Sequence, residues 1–139
     1  MKLLLDTNVW VSALLWGGQL SPLLLLAEAG EVTLITSNPI LEELSQVLQY
    51  EKLQARIRNL DTTSASLLQL VRSLSELHPT VDVWVPELRD PKDLIILATA
   101  AAGDVDAVVT GDRDLLALNE FSGIPILTPQ ALLQSLGSE

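Results

Sequence analysis

The sequence predicts an α/β protein with three layers, α/β/α, around a central parallel sheet and a helical insert at about 40–78. Three observations carry that expectation. Short apolar runs occur at 2–5 (KLLL), 32–36 (VTLIT), 106–110 (DAVVT) and 124–128 (IPILT). They are apolar almost without interruption, as strands buried on both faces are. The runs alternate with helical patterns, which favours parallel strands joined by helices. Helix starts are also marked, because SP (21–22), NP (38–39), DP (90–91) and TP (128–129) each set a capping side chain before proline. Proline is tolerated there because its missing N–H would have no partner inside the helix.

In chain order, KLLL ends on Asp6, and a helical segment follows over 8–29, closing near Gly30. After VTLIT, NPILEELSQVL sets Ile40, Leu44, Val47 and Leu48 in one apolar stripe. SLLQLVRSLSELH then places Leu67, Leu70, Val71, Leu74 and His78 on one helical face. VDVWV (81–85) is a weaker strand candidate. DPKDLIILATAAAG is apolar nearly all round, so it predicts a buried helix that stops at Gly103. DAVVT and IPILT follow, and the last helix runs from the TP pair to Gly137. With no repeat, low-complexity tract or linker, one domain is expected over 1–139.

Composition narrows the classes of function. Hydrophobic residues make up 48% of the 139, too many for a chain disordered through low hydrophobicity. There is no cysteine, so disulfides, thiolate metal sites and a cysteine nucleophile are excluded. The longest apolar run, LIILATAAAG, has half of the roughly 20 residues a membrane-spanning helix needs. Asp6 and Asn8 interrupt the apolar start too early for a signal peptide. A cytoplasmic protein with no membrane partner is therefore expected. The net charge of −10 argues against a broad electrostatic grip on nucleic acid.

Four carboxylates stand where chemistry is expected. Ligands of open α/β sheets bind beyond the carboxyl ends of the strands. Asp6 follows the first strand candidate and Asp112 follows DAVVT. Glu43 flanks the apolar stripe of its helix, whereas Glu42 points nearly opposite. Asp93 lies in the first turn of its helix, where the dipole favours an anion. Four converging carboxylates would raise one another's pKa unless a cation neutralised them. Oxygen ligands suit Mg²⁺ or Mn²⁺, and a single histidine does not suit zinc. Each acid also has a structural reading: Asp90 with Asp93 as a capping pair, Asp112 as a turn or cap, Glu43 as a solvated helix charge. Asp6, behind three leucines with no basic neighbour in sequence, has the least complete local explanation.

The remaining candidates read as structural. His78 precedes Pro79 at an expected helix end, with no second ligand beside it. Lys52, Arg56 and Arg58 form the densest basic patch, read as a solvated helix face with a phosphate-contacting strip as the alternative. Trp10, Trp16 and Trp84 read as core or interface residues before base-stacking platforms.

The chain resembles the PIN-domain family, and within it the VapC-like toxins of toxin–antitoxin pairs. The likeness rests on LLLDTNVWVSALL, SNPILEELSQVL, DPKDLIILATAAAGDVDAVVTGDRDLL and IPILTPQALL. Asp6, Glu43, Asp93 and Asp112 match the family's four acids in order, and Asn8 and Asp114 match accessory polar positions. Leu94 and Ile95 stand where an acid and a lysine often follow in the nearest subgroup. The resemblance implies a PIN-like, Rossmann-like fold and Mg²⁺- or Mn²⁺-dependent endonucleolytic cleavage of single-stranded RNA. It also implies an antitoxin partner and a homodimer, whose apolar contact is expected from 8–29 and 40–58. Two rivals are a non-catalytic PIN-like binding or regulatory module and a haloacid-dehalogenase-type phosphatase. The phosphatase needs a second aspartate where this chain has Asn8.

Overall fold

The computed structural model describes residues 1–137. Its sheet holds six strands: β1 (Lys2–Leu5), β2 (Thr33–Thr36), β3 (Ser75–Leu77), β4 (Ala107–Val109), β5 (Glu120–Phe121) and β6 (Ile124–Leu127). They lie in the order β3-β2-β1-β4-β6-β5. All pairings are parallel except β5 with β6, an antiparallel hairpin. Its two-residue turn is Ser122-Gly123, both at positive φ (51° and 82°), the twist such tight hairpins require. The helices are α1 (Thr7–Leu15), α2 (Ser21–Glu28), α3 (Asn38–Leu48), α4 (Glu51–Asn59), α5 (Ser64–Leu74), α6 (Pro91–Ala102), α7 (Arg113–Leu116) and α8 (Pro129–Gly137).

Continuous apolar strands fit because the sheet has a core on each face. Leu3 and Leu5 point into one core with Leu34, Ala107 and Val109, covered by α1–α5 and α8. Leu4 points into the other with Ile35 and Val108, covered by α6 and α7. Leu3, Leu4 and Leu5 are each fully buried. Each contributes roughly 1.5–3 kcal/mol, so the strand that delivers Asp6 is anchored from both sides.

Three local expectations differ from the structure. The helical insert stops at Leu74, and Ser75–Leu77 adds a short strand to the open edge of β2. His78 is therefore not helical: its N–H donates to the Thr36 carbonyl at 2.8 Å, and its ring meets Glu76 at 3.2 Å. With that edge taken, 81–85 forms no strand; the Val81 N–H donates instead to the Ala98 carbonyl of α6 at 3.2 Å. The proline marks also divide. Asp90 and Thr128 cap through their side chains, accepting from the Lys92 and Ala131 N–H groups at 3.0 and 3.1 Å. Ser21 and Asn38 lie inside their helices, with Leu20 and Ser37 at the cap positions. Buried Ser37 uses its hydroxyl on Thr99, 2.8 Å away, rather than on its own helix.

Candidate active site

The chain lays β2 and β3 on one side of β1 and then places β4 on the other. Strand order thus reverses between β1 and β4, the point at which α/β sheets form a crevice beyond their carboxyl ends. A cleft of about 340 Å³ opens there, and Asp6, Glu43, Asp93 and Asp112 all line it. Asn8 lines it as well, while Glu42 is exposed elsewhere.

Asp6 joins β1 directly to α1. Its Oδ1 accepts from the Val9 N–H at 3.0 Å, capping the helix. Its Oδ2 accepts from the Thr110 hydroxyl, and the same hydroxyl oxygen accepts from the Asp112 N–H at 2.9 Å. Thr110 therefore ties the ends of β1 and β4 together and fixes two site residues at once. Asp6 is only 6% exposed, and burial raises its pKa against the pull of those bonds.

Glu43 projects from α3 and accepts from the Thr7 hydroxyl at 3.0 Å. Burial raises its pKa, and the Thr7 bond and the charge of Lys92 work against that rise. Asp93, in the first turn of α6, is 6% exposed. Its pKa is pushed up to about 6, first by burial and then by Asp112, Asp90, Asp114 and Asp6. Asp112 caps the short α7, accepting from the Asp114 and Leu115 N–H groups at 2.8 and 3.2 Å. Its cap role and its place in the cleft are compatible, since Oδ1 takes both bonds.

Carboxylate oxygens of Asp93, Asp112 and Asp114 lie within 4.8 Å of one another. Asp6 and Glu43 share the cleft but stand outside that trio. Among the described residues the one ion pair is His78–Glu76, so no lysine or arginine neutralises the cluster by direct contact. An all-oxygen donor set, one member of which is hard to ionise unaided, fits a hard divalent cation. Thr7 and Thr110 were not evident as site residues in the sequence, where a threonine at a helix start or a strand end reads as an ordinary structural residue. The usable signal was their position, directly after Asp6 and two residues before Asp112.

The PIN-domain family model matches residues 2–114, from the first strand through Asp114. The chain belongs to that family. In structure it is similar to a chain of VapBC2 from Rickettsia felis, solved bound to a DNA fragment from their promoter. That likeness has a TM-score of 0.61 at 19% identity and covers 92% of this chain and 98% of the other. At such identity it speaks for the fold. No curated protein matches the chain.

Proposed function

We propose that this protein is a metal-dependent endoribonuclease acting on single-stranded RNA, the toxin component of a toxin–antitoxin pair. The observation that carries the reading is the cluster around buried Asp93, whose carboxylate oxygens and those of Asp112 and Asp114 lie within 4.8 Å of one another. Such a cluster costs stability unless a cation meets it.

Asp93, Asp112 and Asp114 would hold Mg²⁺ or Mn²⁺, with Asp6 and Glu43 contributing from the rest of the cleft. A divalent cation bound there supplies charge neutralisation to a phosphodiester and lowers the pKa of an attacking water. Thr110 keeps the Asp6 carboxylate oriented, and Thr7 does the same for Glu43. Glu43, with its pKa raised, is suited to accept a proton from that water. Asn8, exposed in the first turn of α1, is available to hydrogen-bond substrate. Its amide cannot serve as the second acid of a phosphatase.

Similarity in fold to VapBC2 supports an antitoxin partner. A homodimer would use α2 and α5, where Leu25 and Leu70 are 64% and 42% exposed. In 40–58, by contrast, Ile40, Leu41, Leu44, Leu48, Leu53 and Ile57 all pack into the cores. No helix among the described residues is long and apolar enough to cross a membrane.

The test is cleavage of single-stranded RNA with Mg²⁺ or Mn²⁺ by the wild type, Asp6→Asn and Asp93→Asn. Wild-type cutting that stops in EDTA and drops at least about a hundredfold in each variant is expected. Undiminished cutting by either variant, or in EDTA, would refute the mechanism. A folded wild type that cuts no RNA would favour the non-catalytic module.

A further inference from the structure

An acidic site that cuts RNA needs a surface to hold the strand. The described residues offer one along the α3–α4 corner. Tyr50, 46% exposed, caps α4 without a side-chain bond and lines the carboxylate cleft with Lys52. Lys92 lines it too, so two of the chain's three lysines border its most acidic cleft. Four residues beyond Lys52, on the same helical face, Arg56 reaches back to α1. Its Nε donates to the Leu15 carbonyl at 2.8 Å, and its guanidinium lies 5.7 Å from the centroid of the Trp16 ring. Trp16 remains 56% exposed. Tyr50 and Lys52 thus stand at the cleft, and Arg56 and Trp16 stand together at the far end of α1, roughly 15 Å along that helix from Asp6.

We propose that this surface is the RNA track, with bases stacking on Tyr50 and Trp16 and successive phosphates meeting Lys52 and Arg56. It rests on the nuclease reading and adds to it the path by which the strand leaves the cleft. Aromatic stacking suits single-stranded nucleic acid because every base offers a π-face, and it tolerates sequence. Lys52 and Arg56 also answer the charge objection, since they set attraction beside an otherwise repulsive site. Arg58 points to a different side of α4, about 120° from Lys52, and lies off the track.

Steady-state cleavage of single-stranded RNA with Mn²⁺ tests this on the full chain. Tyr50→Ala and Trp16→Ala should each raise KM about five- to hundredfold, the range that loss of one stacked base allows, with little change in kcat. Tyr50→Phe and Trp16→Phe should restore KM. In RNA binding by Asp93→Asn protein, adding Lys52→Gln should lower the slope of log affinity against log salt by about 0.7, one phosphate contact on a single strand. Adding Arg58→Gln should leave that slope unchanged. If the wild type cuts RNA while both alanine variants keep its KM, the track is wrong and the nuclease reading stands. An Arg58→Gln effect equal to that of Lys52→Gln would mean general attraction and overturn the track as well. If the wild type neither binds nor cuts RNA, both readings fall.

Discussion

At neutral pH and without metal, Asp93→Asn should unfold at a higher temperature than the wild-type chain. The Asp93 pKa stands at about 6 against an ordinary 3.8, because burial and then Asp112, Asp90, Asp114 and Asp6 oppose its ionisation. A raised pKa means that the native state binds the proton more tightly than the unfolded state does. Stability from this group is therefore fully present below about pH 4 and is lost as pH rises through about 6. A gap of about two units at about 1.4 kcal/mol each gives an upper bound near 3 kcal/mol. The carboxyl lines an open cleft where water screens part of the repulsion, so about 1–2 kcal/mol is the working figure. For 139 residues that corresponds to about 3–7 °C in Tm. The assay is thermal unfolding in EDTA across the acid-to-neutral range, repeated with Mn²⁺. In EDTA the variant should be the more stable at neutral pH and should lose the wild type's decline between about pH 4 and 6. With Mn²⁺ the wild type should gain stability and the variant much less, because binding to the native state alone stabilises it. A variant less stable than wild type at neutral pH in EDTA would refute the reasoning, since it would mean the Asp93 carboxylate is satisfied by the protein itself.

Thr110→Val keeps the shape but strips Asp6 Oδ2 of its hydroxyl donor and the Asp112 N–H of its acceptor, leaving the Val9 N–H on Oδ1. A loss of about 1–3 kcal/mol in urea unfolding is expected, with activity down about 10–100-fold. Leu25→Lys places a charge on the exposed α2 surface. In light scattering it should shift a wild-type dimer toward monomer without changing the far-UV circular dichroism.

Much of the fold was legible because burial on both faces leaves an unmistakable trace. KLLL coincides with β1, and the strands β2, β4 and β6 lie within VTLIT, DAVVT and IPILT. The edge was not legible. SEL at 75–77 is an edge strand with an exposed Leu77, so nothing in its composition demands a sheet. VDVWV alternates like a strand, yet Val83 and Val85 pack beside α6 and Trp84 is 86% exposed. Periodicity reports a buried face and does not say whether a neighbouring backbone is free to pair. The placement of the acids followed from topology, since a strand end next to a helix start can be read directly. Their hydrogen bonds could not be read that way. Thr110 reaches Asp6 across 104 residues of sequence, and Thr7 reaches Glu43 across 36.

The central claim is that the cleft carboxylates are arranged for a divalent cation. It is tested most directly by anomalous diffraction from crystals of the wild-type chain soaked in Mn²⁺. The expected result is a peak with carboxylate oxygens of Asp93 and Asp112 at about 2.0–2.6 Å, absent from Asp93→Asn crystals treated in the same way. A cleft without a peak, in crystals that bind Mn²⁺ elsewhere, would contradict the claim.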